Sequence, residues 1–142
     1  MRKTLYSKVL AVLLLGTSLF VLVGCSANRN PLDGTEWKLV GWSLNSLDPA
    51  DFTITAKFTK ADISGSSGVN SYSGPYKLGN GGAFSVGPTA GTLMAGPDLA
   101  MRAEGAYLTL LGQASSYKLV DGKLMLYDKY GNESLIFEVA NK

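Results

Sequence analysis

Apolar positions fall into two regimes along the chain. From Val9 to Val23 they form one run, broken only by Gly16, Thr17 and Ser18. Beyond residue 24 they alternate with polar ones or recur at helical spacing. Period-two character around Trp37 and Leu39 predicts a first strand over Glu36–Trp42. Phe52, Ile54, Ala56 and Phe58 share one parity while Thr53, Thr55 and Lys57 take the other, which predicts a half-buried strand. A Gly/Ser-rich stretch follows from Ile63, and Tyr72, Tyr76 and Leu78 predict a strand emerging from it. Leu78 to Phe84 reads as a hairpin, because its glycines and Asn80 tolerate positive φ. Phe84–Val86 and Gly91–Met94 read as two short strands. Leu99, Ala103, Ala106, Tyr107, Leu110, Leu111 and Ala114 then recur at spacings of three and four. They predict an amphipathic helix from Asp98, its expected N-cap, to about Ala114, with Arg102, Glu104 and Gln113 off the stripe. A meander closes the chain: Tyr117–Val120, an Asp121-Gly122 turn of type I′, Lys123–Tyr127, a turn at Tyr130–Glu133, and Ser134–Val139. The fold class expected is mainly β, a compact antiparallel barrel-like domain with one helix on the sheet.

The early apolar run changes what the charge count means. The 142 residues hold 13 basic and 11 acidic side chains. Three of the basic ones, Arg2, Lys3 and Lys8, precede the run, so the chain from Cys25 onward carries ten basic residues against 11 acidic. No basic stripe is left for a nucleic acid. A basic head, an apolar middle and Leu22-Val23-Gly24-Cys25 together match the lipobox of bacterial lipoproteins. Small Gly24 lets a signal peptidase approach the backbone, and the Cys25 thiol accepts a diacylglyceryl group and becomes the mature N-terminus. A retained transmembrane anchor is the weaker reading, since the run falls short of the ~20 residues a spanning helix needs. A secretory signal without lipid is the other alternative. Two acyl chains give stable anchoring where one is marginal. Residues 1–24 are thus the expected signal, 25–31 the lipidated N-terminus and polar tether, and 32–142 the domain. Ser26, where sorting in two-membrane envelopes often reads Asp as retention, favours the outer membrane facing the periplasm if the host has one.

Candidate chemistry is sparse. Histidine is absent and Cys25 is the single cysteine, which removes Ser-His and Cys-His catalysis, an internal disulfide and most metal sites. Gly65-x-x-Gly68 lacks the Gly-Lys-Ser/Thr ending and the following helix of a phosphate loop. Asp48, Asp51, Asp121 and Asp128 lie in or beside turns, and nothing pairs two of them across a cleft as glycoside hydrolysis needs. Asn70 reads as a turn residue bonding local backbone. Most of the 12 aromatics beyond the signal belong to the core, with Trp42 or Tyr130 as candidates for an exposed patch.

These residues resemble the META domain, the family of HslJ-like heat-shock lipoproteins. Its pattern Gly-x-x-Gly-Cys-Asn-x-Tyr-x-Gly-x-Tyr stands here as Gly65, Gly68, Val69, Asn70, Tyr72, Gly74 and Tyr76. The family segment Thr-x-Met-Ala-Cys-Pro stands as Thr92, Met94, Ala95, Gly96 and Pro97. Gly34-Thr35-x-Trp37-x-Leu39, the helix with Glu104, and Leu124-x-Leu126…Gly131…Leu135-x-Phe137 also fit, so the resemblance covers Leu32 to Val139. Val69 and Gly96 replace the two family cysteines together. The resemblance implies that those cysteines pair, so the two backbones are expected to run close here too. It implies a barrel-like fold, no established catalysis, no cofactor, and a loose link to envelope stress. The function expected is a lipid-anchored, non-enzymatic and monomeric envelope protein that binds an unknown envelope partner. A carrier of small apolar ligands, using a barrel mouth lined by Tyr72 and Tyr76, is the alternative, and a hydrolase comes last.

Overall fold

A computed structural model describes residues 29–44 and 46–140. The expected signal, Cys25 and most of the expected tether lie outside these residues. The strands are β1 (Glu36–Trp42), β2 (Thr55–Phe58), β3 (Asp62–Ser66), β4 (Ser71–Leu78), β5 (Phe84–Val86) and β6 (Ala90–Gly91), followed by α1 (Asp98–Gln113), β7 (Ser116–Val120), β8 (Lys123–Tyr127) and β9 (Glu133–Val139). All pairings are antiparallel, in the order β5-β4-β3-β2-β1-β9-β8-β7, with β6 on β4. An Ala83–Ser116 bridge and a 3.0 Å bond from the Phe84 N–H to the Ser115 carbonyl join the two ends. The sheet is therefore a nearly closed eight-strand barrel, which removes most of its open edge.

The alternating faces point where the pattern places them. Trp37, Leu39, Ile54, Ala56 and Phe58 are buried, whereas Lys38 and Lys57 face outward. Asp121 (φ 50°) and Gly122 (φ 74°) have the double positive φ of a type I′ turn. Side chains fill the interior. Phe58 meets Tyr76 edge to face at 5.0 Å, and Tyr107 of α1 meets Tyr72 at 5.5 Å and Phe137 at 6.3 Å.

Four expectations need correcting. The Gly/Ser-rich stretch, from which only a strand around Tyr72 was expected, holds a second one: β3 occupies its first part and hairpins onto β4. Gly65 is what permits this, since a side chain there would run into the Thr55 carbonyl. The strand expected over Gly91–Met94 shrinks to Ala90–Gly91, and Thr92 to Pro97 form a loop. Asp98 is not the N-cap: Pro97 holds that place without a side-chain bond, and Asp98 sits in the first turn, where its charge suits the helix dipole. The buried helix face is also rotated. Ala103, Glu104, Tyr107 and Leu111 point inward, Ala106 and Leu110 are half-buried, and Leu99 is 56% exposed.

Candidate functional site

The β3–β4 hairpin turns at Ser67–Asn70 and abuts the start of α1. Gly68 has φ +125°, which an L side chain rarely adopts, and this conformation folds the next two amides toward α1. Glu104 receives them. Its Oε2 accepts from the Asn70 N–H at 2.7 Å, the Val69 N–H at 3.3 Å and the Ser67 hydroxyl at 2.6 Å. Its Oε1 accepts from Asn70 Nδ2 at 2.8 Å. The Asn70 carbonyl lies 2.8 Å from the same Ser67 hydroxyl, which has one proton to give. The shorter separation and the charge assign that proton to Glu104.

Asn70 carries the network on to the loop before α1. Its Nδ2 also donates to the Met94 carbonyl at 3.1 Å, and its Oδ1 accepts from the Met94 N–H and the Thr92 hydroxyl, each at 2.7 Å. Every donor and acceptor of the amide is engaged, so the orientation of the amide is determined: a flip would set donor against donor and acceptor against acceptor. Asn70 thus bonds backbone 24 residues away, where local bonding was expected. Glu104, expected off the apolar stripe, is only 9% exposed and is the centre of the cluster. Burial pushes its carboxyl up, but the bonds from Ser67, Asn70 and Val69 outweigh that and hold it below the usual carboxylate range.

The other motif residues have structural roles in the wall around and beyond this cluster. Gly65 lies where β3 comes close to Thr55 of β2, and a side chain at Gly74 on β4 would press on Pro88 and Thr89. The Tyr72 hydroxyl bonds the Tyr107 hydroxyl at 2.6 Å and the Thr55 carbonyl at 3.0 Å, and burial raises both phenols well above their ordinary range. Tyr76 stands at the other end of β4, where its hydroxyl donates to the Thr59 carbonyl and accepts from Asn30 Nδ2. The two tyrosines are buried and hydrogen-bonded into the wall, so they do not line one mouth together. A β-carbon at Gly96 would lie 3.3 Å from that of Val69. Two Cα–Cβ bonds of about 1.5 Å then keep the Cα atoms within roughly 6.4 Å, inside the limit for a disulfide. The close approach implied by the missing cysteines is present, and Val69 fills the space: its γ-carbons would stand 2.7 and 2.8 Å from that added atom.

Around the loop before α1 several apolar side chains are exposed. Leu93 is 99% exposed, Met94 59%, and Met101 and Leu99 are exposed beside them in sequence. Sequence reading singled out Tyr130, which is exposed, and Trp42, which is half-buried with its indole N–H on the Leu47 carbonyl, but not this group. No cluster of three or more metal-ligating acidic or sulfur side chains occurs among the described residues.

A small antiparallel barrel, keyed at one end by a helix carboxylate that binds a glycine-rich hairpin, defines the class of this domain. The META domain model matches residues 30–141, and the chain belongs to the META domain family. Among solved structures, the NMR structure of a protein from Burkholderia xenovorans is similar at 29% identity and TM-score 0.64, over 78% of this chain and 85% of that one. A DUF4847 family protein from Bacteroides vulgatus ATCC 8482 shares the fold at 12% identity and TM-score 0.57, over 79% of this chain and 96% of that one. Comparison with curated proteins finds no match.

Proposed function

We propose that this META-domain protein is a lipid-anchored, non-enzymatic component of the cell envelope that binds a protein partner and supports tolerance of envelope stress. The observation that carries the reading is the loop from Thr92 to Pro97. Asn70 grips Met94 by both its N–H and its carbonyl, while Leu93 and the Met94 side chain stand in solvent. A rigidly held apolar loop loses little conformational freedom on binding, which favours recognition. The Glu104 carboxylate supports a structural role, because both of its oxygens are directed at the protein's own donors. The lipobox at Cys25 supports the anchor, and a side-chain-filled interior favours partner binding over ligand carriage.

The test is site-specific photocrosslinking in intact cells, with the probe at Leu93 and a control probe at Lys57 on the outer face of β2. A discrete adduct from Leu93 alone, lost when Met94→Ser and Leu99→Ser are combined and changed in yield by envelope stress, is the expected result. Equal adducts from both probes contradict the reading.

A further inference from the structure

Opposite the Glu104 cluster lies a second apolar feature. Pro31, Thr35, Trp37, Leu119 and Val139 line an open groove of about 730 Å³. Leu119 and Val139, which line it, are 42% and 57% exposed. The chain enters beside this groove. Asn30 fixes the entry: its Nδ2 donates to the Tyr76 hydroxyl at 2.5 Å and the Lys60 carbonyl at 3.3 Å, and its Oδ1 accepts from the Leu32 N–H at 2.9 Å. Cys25 precedes Pro31 by six residues. Even fully extended, six residues span at most about 22 Å.

We propose that the Trp37 groove is the face on which the domain rests against the bilayer. The inference depends on Cys25 being the lipidated residue. A lipid attached so close to a fixed entry point holds this end near the headgroups, and exposed aliphatic side chains at that depth gain by leaving water. Charge does not carry the contact. Arg29, Lys60 and Lys77 line the neighbouring cleft, but they are not alone there: the Tyr76 phenol in it is raised first by burial and then by the nearby Asp33 and Asp62 carboxylates. The apolar groove is what selects the bilayer.

The protein contains its own depth gauge. Its two tryptophans stand at opposite ends of β1: Trp37 borders the groove, and Trp42 lies five residues further, toward the end that holds Ser67. The experiment uses the exported mature protein, checked by mass for acylation and reconstituted into phosphatidylcholine vesicles whose lipids are brominated just below the headgroup. In the Trp42→Phe variant, Trp37 emission is expected to fall relative to unbrominated vesicles. In the Trp37→Phe variant, Trp42 is expected to keep its emission. Adding Leu119→Ser with Val139→Ser reduces the quenching of Trp37. Acylated protein in which Trp37 is quenched no more than Trp42 overturns the docked face and leaves lipidation standing. Mature protein without acyl mass overturns the lipidation reading and the tether argument with it. Emission changes that follow the protein-to-lipid ratio instead of bromine content identify a second copy in the groove and overturn the proposal.

Discussion

At the α1 end of the barrel, both oxygens of one carboxylate and every donor and acceptor of one amide are used to join a hairpin, a helix and a loop. At the tether end, Asn30 makes a lighter clamp and aliphatic side chains are left open to solvent. The first arrangement is polar and hydrogen-bonded within the protein. The second is apolar and open to solvent. Both ends carry exposed apolar residues. Only at the α1 end are they held by a network whose loss would release them.

The largest contrast comes from charge. Asn70→Asp places a second carboxylate against Glu104 and against the Met94 carbonyl, at sites where Nδ2 now donates. A loss of roughly 3–5 kcal/mol is expected in denaturant unfolding. A loss below about 1 kcal/mol would mean that the cluster is far more hydrated than its geometry implies.

Next comes the cysteine pair. Val69→Cys with Gly96→Cys should oxidise under oxidising conditions and raise stability by about 3.5 kcal/mol in the loop-entropy model, less any strain. Gly96 has no positive φ to lose, and Val69→Cys removes the γ-carbon crowding. Free-thiol titration and the melting temperature provide the check. Persistent thiols under oxidising conditions would contradict the geometry.

Acid provides a graded version of the same contrast. The Glu104 carboxyl lies below its unfolded value, so the folded state binds fewer protons in that range. Its contribution is present above the ordinary carboxylate pKa and is lost as pH falls through the depressed folded value. Unfolding midpoints measured from about pH 6 to below about pH 3 should drop more steeply in the wild type than in Glu104→Gln. Asp128 is also held low, by Asn132 and the amides of its turn, so Asp128→Asn serves as the control for acid sensitivity away from the α1 end. Identical pH profiles for wild type and Glu104→Gln would remove Glu104 from the account. At the tether end the effect should be smallest: Leu119→Ser and Val139→Ser should each shift stability by no more than about 0.5 kcal/mol.

How legible each end was follows from the same physics. β1 and β8 match their expected bounds because alternation is strong and their turns carry distinctive residues, such as Asp121-Gly122. β3 was hidden because Ser64, Gly65 and Ser66 offer no apolar parity, and Gly65 is there for a close backbone approach. The cysteine substitutions pointed to the approach of Val69 and Gly96 through the family pattern. Glu104 was missed because its charge argued for the solvent face. Its spacing of three from Tyr107 and seven from Leu111 was nonetheless that of the buried stripe, whereas Leu99 lies roughly 120° round the helix from Leu111. A carboxylate at a stripe position, facing a hairpin with a positive-φ glycine, was the available signal. The apolar loop at Leu93 gave none, since exposure depends on tertiary placement.

The account rests on Glu104 and Asn70 acting as one unit, and a double-mutant cycle tests that directly. Unfolding free energies of the wild type, Glu104→Ala, Asn70→Ala and the double variant give the coupling between them. Two bonds from Asn70 to one buried carboxylate predict a coupling of about 1.5–3 kcal/mol. Additive losses, with a coupling within about 0.3 kcal/mol of zero, would contradict it.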